Sequence, residues 1–200
     1  MKLPAAAAAL LIAFSLSARE ATTAFLEAID EAVPSIPPRL RTALLKPGSR
    51  MTDVFGYDVT TLSVEPQMMS LRLASNTVLT VATVPDGRDT LDVFIESVDL
   101  PQVDSRVTVY RPGGTRLAGV RTPVMSDFVV PGREKEVKGR LDLPAVFSVA
   151  CSYDPATGVF TFTNTSFTDV TRRTDADVAR LFLSERRYTL RKGRFIPVKD

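Results

Sequence analysis

Alternation of apolar and polar side chains is the feature that most constrains how this chain can fold. From Tyr57 onward the apolar residues recur at every second position, as at Met69, Leu71 and Leu73. Because successive side chains of a strand point to opposite faces, this period predicts β-strands with one buried face. The β-branched run 77–84 predicts a strand buried on both faces.

Tight turns separate these runs. Pro85, Asp86 and Gly87 form a turn before the strand predicted over 90–98, since proline presets φ and glycine accepts a positive φ. That strand places Leu91, Val93 and Ile95 on an inner face and Asp92 and Glu96 on an exposed face. A further strand is predicted at Val107 to Tyr110 and is followed by a turn at Pro112 to Gly114. Two hairpins are predicted after it: one from Phe147 to Thr163 with a loop over 154–158, and one from Tyr188 to Val198 with a turn at Lys192-Gly193.

Three helices complete the predicted elements. The first covers 22–32, with Thr23 as its cap, and the second covers 39–45. The third begins at Thr174, whose spacing to Asp177 is that of a capping pair. The apolar stripes of the first and third helices are formed by Phe25, Leu26, Ile29 and Val33, and by Val178, Leu181 and Phe182.

This order of elements predicts the fold class. Strands joined by tight turns, with no crossover helices between the central ones, favour antiparallel pairing. We therefore expect an α+β, mainly β domain over 18–200: an antiparallel sheet or sandwich with two N-terminal helices and one C-terminal helix.

The N-terminal segment predicts export. Lys2 precedes an apolar run from Leu3 to Phe14, and Ser15 and Ser17 are the small residues of a cleavage site, which is the pattern of a signal peptide over 1–17. The run is short for a bilayer span, which needs about 20 apolar residues; an uncleaved anchor is the main alternative. The expected location is therefore periplasmic or secreted, with no stable membrane span after processing.

Composition narrows the possible functions. The chain has 25 Lys and Arg against 23 Asp and Glu, a formal net charge of +2, which offers no basic excess for nucleic acid. It has no His and no Trp, so the commonest general base and metal ligand is missing. With a single Cys, no intrachain disulfide can form.

Candidate chemical groups are each better explained as structural. Cys151 shares a strand face with Phe147, Val149 and Tyr153 and has no His as a base, so it is expected in the core. Six carboxylates between Asp86 and Asp104 are expected to be solvated: Asp86, Asp89, Asp92, Glu96, Asp99 and Asp104.

Four weaker patterns carry little functional weight. Asp53 and Asp58 flank Gly56 without the rest of a calcium loop. The alternating charges of 132–140 predict a solvated loop or short helix. Arg172-Arg173 and Arg186-Arg187 form at most a weak anion patch, and Asn164-Thr165-Ser166 is a glycosylation sequon of the kind that arises by chance. The sequence thus predicts no catalytic, cofactor-binding or metal-binding residue.

Short segments spread from Phe25 to Val198 follow one another in a characteristic order. They are Ala24-Phe25-Leu26, Val33 to Ile36, Pro38-Arg39-Leu40, Val103 to Val107, Tyr110-Arg111-Pro112, Ser126-Asp127-Phe128 with Pro131, Phe160 to Thr163, Tyr188-Thr189-Leu190 and Lys192 to Phe195. In this order the chain resembles an uncharacterised family of exported Bacteroidales proteins. The resemblance implies an envelope location and no known activity or site. Members are often lipoproteins, but this chain has no Cys after its apolar run.

The sequence therefore favours an exported, non-catalytic binding module for an envelope protein, peptide or glycan. A glycan-processing hydrolase that works with carboxylates alone is the alternative. A structural subunit of an envelope assembly is a third possibility.

Overall fold

The structure, a computed structural model, describes residues 19–99, 101–167 and 173–199, without the side chains of 173–175. The predicted signal peptide, Arg172 and the side chain of the predicted cap Thr174 lie outside these residues. As expected, the fold is mainly β and antiparallel, with few short helices.

Seven strands form the central sheet as a meander in which each strand pairs with the next along the chain. They are β1 (Arg50–Thr52), β2 (Asp58–Glu65), β3 (Met68–Ala74), β4 (Thr77–Asp86), β5 (Asp89–Asp99), β6 (Val103–Arg111) and β7 (Thr115–Arg116). Gly87, in the β4–β5 turn, has a φ of 71°, which is the conformation predicted for it. The alternation thus predicted β3 to β6 correctly.

Strands β1 and β2 were not assigned individually from the sequence. The β2–β3 register shifts between Thr61 and Ser63, so Leu62 is skipped and its side chain is exposed. This bulge interrupts the period of two, which is the signal that identified the other strands.

The second sheet has four strands in the order β11, β10, β9, β8. These are β8 (Val149–Asp154), β9 (Val159–Asn164), β10 (Glu185–Arg191) and β11 (Arg194–Pro197). It packs on one face of the central sheet, and Ile95 and Val109 meet Phe160 and Phe162 in the core between the sheets. The inner face predicted for the β8–β9 hairpin is therefore confirmed.

The helices are shorter than predicted. They are α1 (Ala21–Glu27), α2 (Pro38–Arg41), α3 (Glu134–Lys138) and α4 (Arg173–Ala179), with 3-10 turns at Thr42–Leu44 and Met125–Phe128. The predicted stripe of Val178, Leu181 and Phe182 is buried. The charged run forms α3, which is largely solvated as predicted.

The prediction for α1 was wrong at both ends. Glu20 is the N-cap and makes no side-chain cap bond, so Thr23 is not the cap. The helix ends at Glu27 because the fully buried Arg41 guanidinium donates to the carbonyl groups of Phe25, Leu26 and Ala28. A buried donor therefore replaces the helical hydrogen bonds that would have continued the helix.

The N-terminal segment covers the other face of the central sheet. Phe25, Val33 and Ile36 pack there against Met69 and Leu71 in a second core. The molecule thus has three layers, helical segments, a seven-stranded sheet and a four-stranded sheet, and the central sheet is buried on both faces.

Candidate functional site

A cleft opens on the helical side of the central sheet, where β3 turns into β4. It has a volume of about 330 Å³. Its floor contains Leu73, Leu79 and Phe94. The Phe94 ring is held edge-on to Tyr110, with 5.6 Å between the ring centroids. The floor is therefore apolar.

The loop between β1 and β2 places two aromatic rings at the mouth of this cleft. Phe55 is 67 % exposed and Tyr57 is 59 % exposed, although both line the cleft. We call Phe55 and Tyr57 the aromatic lip. Large exposed rings beside a concave surface are typical of binding sites rather than of a folding core.

Asp53 determines the shape of this loop. Its Oδ1 atom accepts hydrogen bonds from the backbone N–H groups of Phe55 at 2.8 Å and Tyr57 at 2.9 Å. The carboxylate is buried, so these bonds are shielded from water. The Val54 N–H group also donates to the Ser35 carbonyl at 3.2 Å, which ties the loop to the opposite wall of the cleft. The aromatic lip is thus preorganised by local hydrogen bonds.

Charged and hydroxyl groups surround the apolar floor. Glu96 and Arg106 are directly opposed on β5 and β6 and line the cleft, together with Thr108. On the other wall, Glu31 forms an ion pair with Arg116 at 2.7 Å. The cleft therefore combines an apolar interior with a polar rim.

The Ser35 hydroxyl adds a polar group inside the wall. Its Oγ atom is buried and has no hydrogen-bond partner within the described part of the chain. Ser35 lines the cleft. A buried hydroxyl without a partner costs free energy.

Of the six carboxylates considered from the sequence, Glu96 alone lines this cleft. Asp86 and Asp89 lie at the β4–β5 turn, at the other end of those strands, where Asp86 accepts a bond from the Lys192 backbone N–H. Asp104 accepts a bond from the Val149 N–H at 3.0 Å, and Asp99 ends β5. The structure therefore does not bring the six together.

Asp92 contradicts its prediction as an exposed strand residue. It is 5 % exposed, and its two oxygens accept bonds from Arg19 Nε at 2.7 Å and Nη2 at 2.9 Å. The alternation of β5 predicted that the face of the strand carrying Asp92 is exposed to solvent. In the structure the N-terminal segment covers that face, and its Arg19 is the cation that pairs with Asp92.

Cys151 packs against the core between the sheets, on the face shared with Phe147, Val149 and Tyr153. The residue is half-buried rather than fully buried. Desolvation of its sulfur raises the pKa of the thiol well above its usual range. A thiol kept protonated in this way is a weak nucleophile.

The residues that shape the cleft were not predicted as a site from the sequence. Asp53 and Gly56 were considered only as parts of a calcium loop, and Tyr57 only as the start of the alternating region. Two aromatic residues flanking Gly56, just after an aspartate, were the available signal. An aromatic residue in a loop cannot be assigned to core or surface without knowing what packs on it.

Clusters of metal-ligating side chains and membrane-spanning helices are both absent from the described residues. Residues 19–99, 101–167 and 173–199 contain no group of three or more potential metal-ligating side chains. None of the described helices has the length and apolar character that a membrane crossing requires.

Fold and cleft together define a mainly β, two-sheet protein with a helical layer and a preorganised cleft on its central sheet. It is similar in structure to a domain of an uncharacterised protein from Porphyromonas gingivalis, with a TM-score of 0.67 and 17 % sequence identity over 90 % of this chain and 98 % of that one. The match shows a shared fold and is consistent with the resemblance to uncharacterised Bacteroidales proteins. No protein-family model and no curated protein sequence matches the chain.

Proposed function

We propose that this protein is an exported binding module that holds a peptide segment of its partner in the cleft on the central sheet. The observation that carries the proposal is the aromatic lip, which Asp53 holds exposed above an apolar floor. Export is supported by the signal-like pattern of Lys2 and the apolar run that follows it.

The apolar floor favours a peptide over a glycan. Leu73, Leu79 and Phe94 offer no hydrogen bonds, so a sugar hydroxyl placed on them would lose its water without replacement. An aromatic or aliphatic side chain would gain free energy by being buried there. Glu96 and Arg106 would then face the polar backbone of the same segment.

The test is an NMR titration of the labelled protein with blocked tripeptides. We expect Gly-Phe-Gly to shift the amides of loop 53–57 and to saturate, and Gly-Gly-Gly not to do so. Tyr57→Ala should weaken binding about tenfold, because exposed aromatic anchors carry much of the energy of such contacts. The matched control is Val54→Ala, since Val54 is exposed in the same loop but does not line the cleft.

Two results would contradict the proposal. Equal loss of affinity in Val54→Ala and Tyr57→Ala would show that the peptide does not use the cleft. Saturable binding of maltotriose with no response to Gly-Phe-Gly would replace the peptide with a glycan as the ligand.

One observation keeps the glycan-processing hydrolase as a second candidate. Three carboxylates, those of Glu31, Asp53 and Glu96, line the same cleft. However, Glu31 is paired with Arg116 and Asp53 holds the loop, so Glu96 is the carboxylate left for proton transfer. A glycosidase uses two. Release of reducing sugar from a glycan, abolished by Glu96→Gln, would establish the hydrolase.

A further inference from the structure

The aromatic lip encloses a negative charge that has no counter-ion. Asp53 is 8 % exposed, and it forms no ion pair with any residue in the described ranges. Its Oδ1 atom accepts both backbone bonds of the loop, whereas Oδ2 has no hydrogen-bond partner among the described residues. Buried carboxylates are normally paired. Because Asp53 lines the cleft, a bound molecule can supply the missing cation.

The cleft's own cation is too far away to do so. Among the described residues Arg106 is the one basic residue that lines the cleft. It lies on β6, four strands from β2, which is about 19 Å across the sheet at about 4.8 Å per strand. Charges interact weakly beyond about 8–10 Å at physiological salt, and Arg106 is directly opposed to Glu96 instead. The lip end of the cleft is therefore negative.

The register of the sheet places the lip beside the apolar floor. Thr60 on β2 is opposite Arg72 on β3, so Leu73 of the floor lies beside Val59. Val59 and Leu73 belong to the same core on the helical side. Tyr57 is two residues before Val59 and therefore on the same face of the sheet. Adjacent residues of one peptide can thus reach the floor and the lip.

We propose that the peptide segment held in the cleft carries a basic residue, whose cation lies between the aromatic lip and the Asp53 carboxylate. The inference rests on the proposed function, because it concerns the same cleft and the same segment. Aromatic faces attract ammonium and guanidinium groups, more strongly where water is excluded. The carboxylate adds a charge-assisted hydrogen bond. The ligand is therefore a peptide with a lysine or arginine next to an apolar residue.

The test compares two blocked peptides, Gly-Phe-Lys and the same peptide with an acetylated lysine, by NMR titration of the amides of loop 53–57. Acetylation keeps the aliphatic stem and removes the charge. We expect the lysine peptide to bind at least about tenfold more tightly, because acetylation removes a cation–π contact and an ion pair together. Gly-Phe-Gly has neither and tests the proposed function alone.

Asp53→Asn removes the charge and keeps an oxygen that can accept from the loop N–H groups. In this variant the ratio of the two affinities should fall to about one, and the ratio is informative because both peptides meet the same loop. Asp58→Asn is the matched control. Asp58 is exposed at the other end of the loop and does not line the cleft, so the ratio should change less than about twofold.

The outcomes separate this inference from the proposed function. Saturable binding of Gly-Phe-Gly, with equal affinities for the lysine and acetyl-lysine peptides, would overturn the inference and leave the proposed function in place. Tighter binding of Gly-Phe-Glu than of Gly-Phe-Lys would overturn it too, since Arg106 would then select the ligand. An equal fall of the ratio in Asp53→Asn and Asp58→Asn would count against it as an effect of overall charge. If none of the peptides saturates, the proposed function and the inference both fail.

Discussion

At the residue scale, the pair of Arg19 and Asp92 shows how one contact joins two layers. Arg19 precedes α1, and Asp92 lies 73 positions further along the chain in the middle of β5. Both side chains are largely buried, and Arg19 also pairs with Glu27 at 2.9 Å. Asp92, the main cause, raises the pKa of Arg19. The start of the described chain is therefore held on the central sheet by charge.

Removing one partner of this pair should destabilise the fold strongly. We expect Asp92→Ala to lower the free energy of unfolding by about 3 kcal/mol, because it leaves the largely buried Arg19 charge with the more exposed Glu27 as its ion-pair partner. Chemical denaturation measures the change, with Asp99→Ala at the exposed end of β5 as the control. In Arg19→Ala/Asp92→Ala the loss should be smaller than the sum of the single losses. Additive losses would show that the pair does not act as a unit.

At the scale of the elements, helix ends and turns are decided by side chains that satisfy backbone groups. Arg41 ends α1 from a distance, and its Nε atom donates to the Ile36 carbonyl at 2.9 Å. The β8–β9 hairpin is closed locally instead: Asp154 accepts bonds from the Thr157 hydroxyl at 2.6 Å and the Ala156 N–H at 3.0 Å. The turn was therefore evident in the sequence, whereas the helix end was not.

The β8–β9 hairpin should weaken in acid. The Thr157 hydroxyl, followed by the Ala156 N–H, lowers the pKa of Asp154 below its usual value. The ionised Asp154 carboxylate therefore contributes its full stabilisation at a pH above the pKa that Asp154 has in the unfolded chain. That stabilisation is lost as the pH falls through the lower pKa that Asp154 has in the folded state. In Thr157→Val the pKa of Asp154 should rise towards its usual value, as measured by NMR titration of the carboxyl carbon. Thr157→Ser keeps the hydroxyl and should retain the low pKa; an unchanged pKa in Thr157→Val would rule out the hydroxyl as its main cause.

At the scale of the whole molecule, the central sheet connects two cores. Phe94 and Ile95 are neighbours on β5 and are both buried, yet Phe94 packs on the helical side and Ile95 against the second sheet. Such a sheet cannot lose one covering layer without exposing apolar surface. We therefore expect both layers to unfold together.

Leu71→Ala tests this cooperativity. Leu71 is fully buried on the helical side, so the substitution should cost about 2–5 kcal/mol. Hydrogen exchange of the Phe162 amide, in the second sheet, should accelerate by the same free energy, because that amide opens only when the whole molecule unfolds. Leu141→Ala, at a fully exposed leucine, should change neither quantity. Unchanged protection of Phe162 in Leu71→Ala would show that the two cores unfold separately.

Local signals determined a large part of this protein. Alternation and turn residues predicted β3 to β6, both hairpins of the second sheet and the antiparallel fold, because strand period and turn conformation depend on near neighbours in the chain. The apolar face of Cys151 was predicted in the same way.

Tertiary structure alone decided what covers each face and which side chains meet. Asp92 looked exposed because the alternation of β5 does not reveal the N-terminal segment that packs on it. The aromatic lip likewise exposes residues for which spacing in the chain carries no signal. Burial is a property of the packed molecule, so the sequence predicted most strands of this protein but not its candidate site.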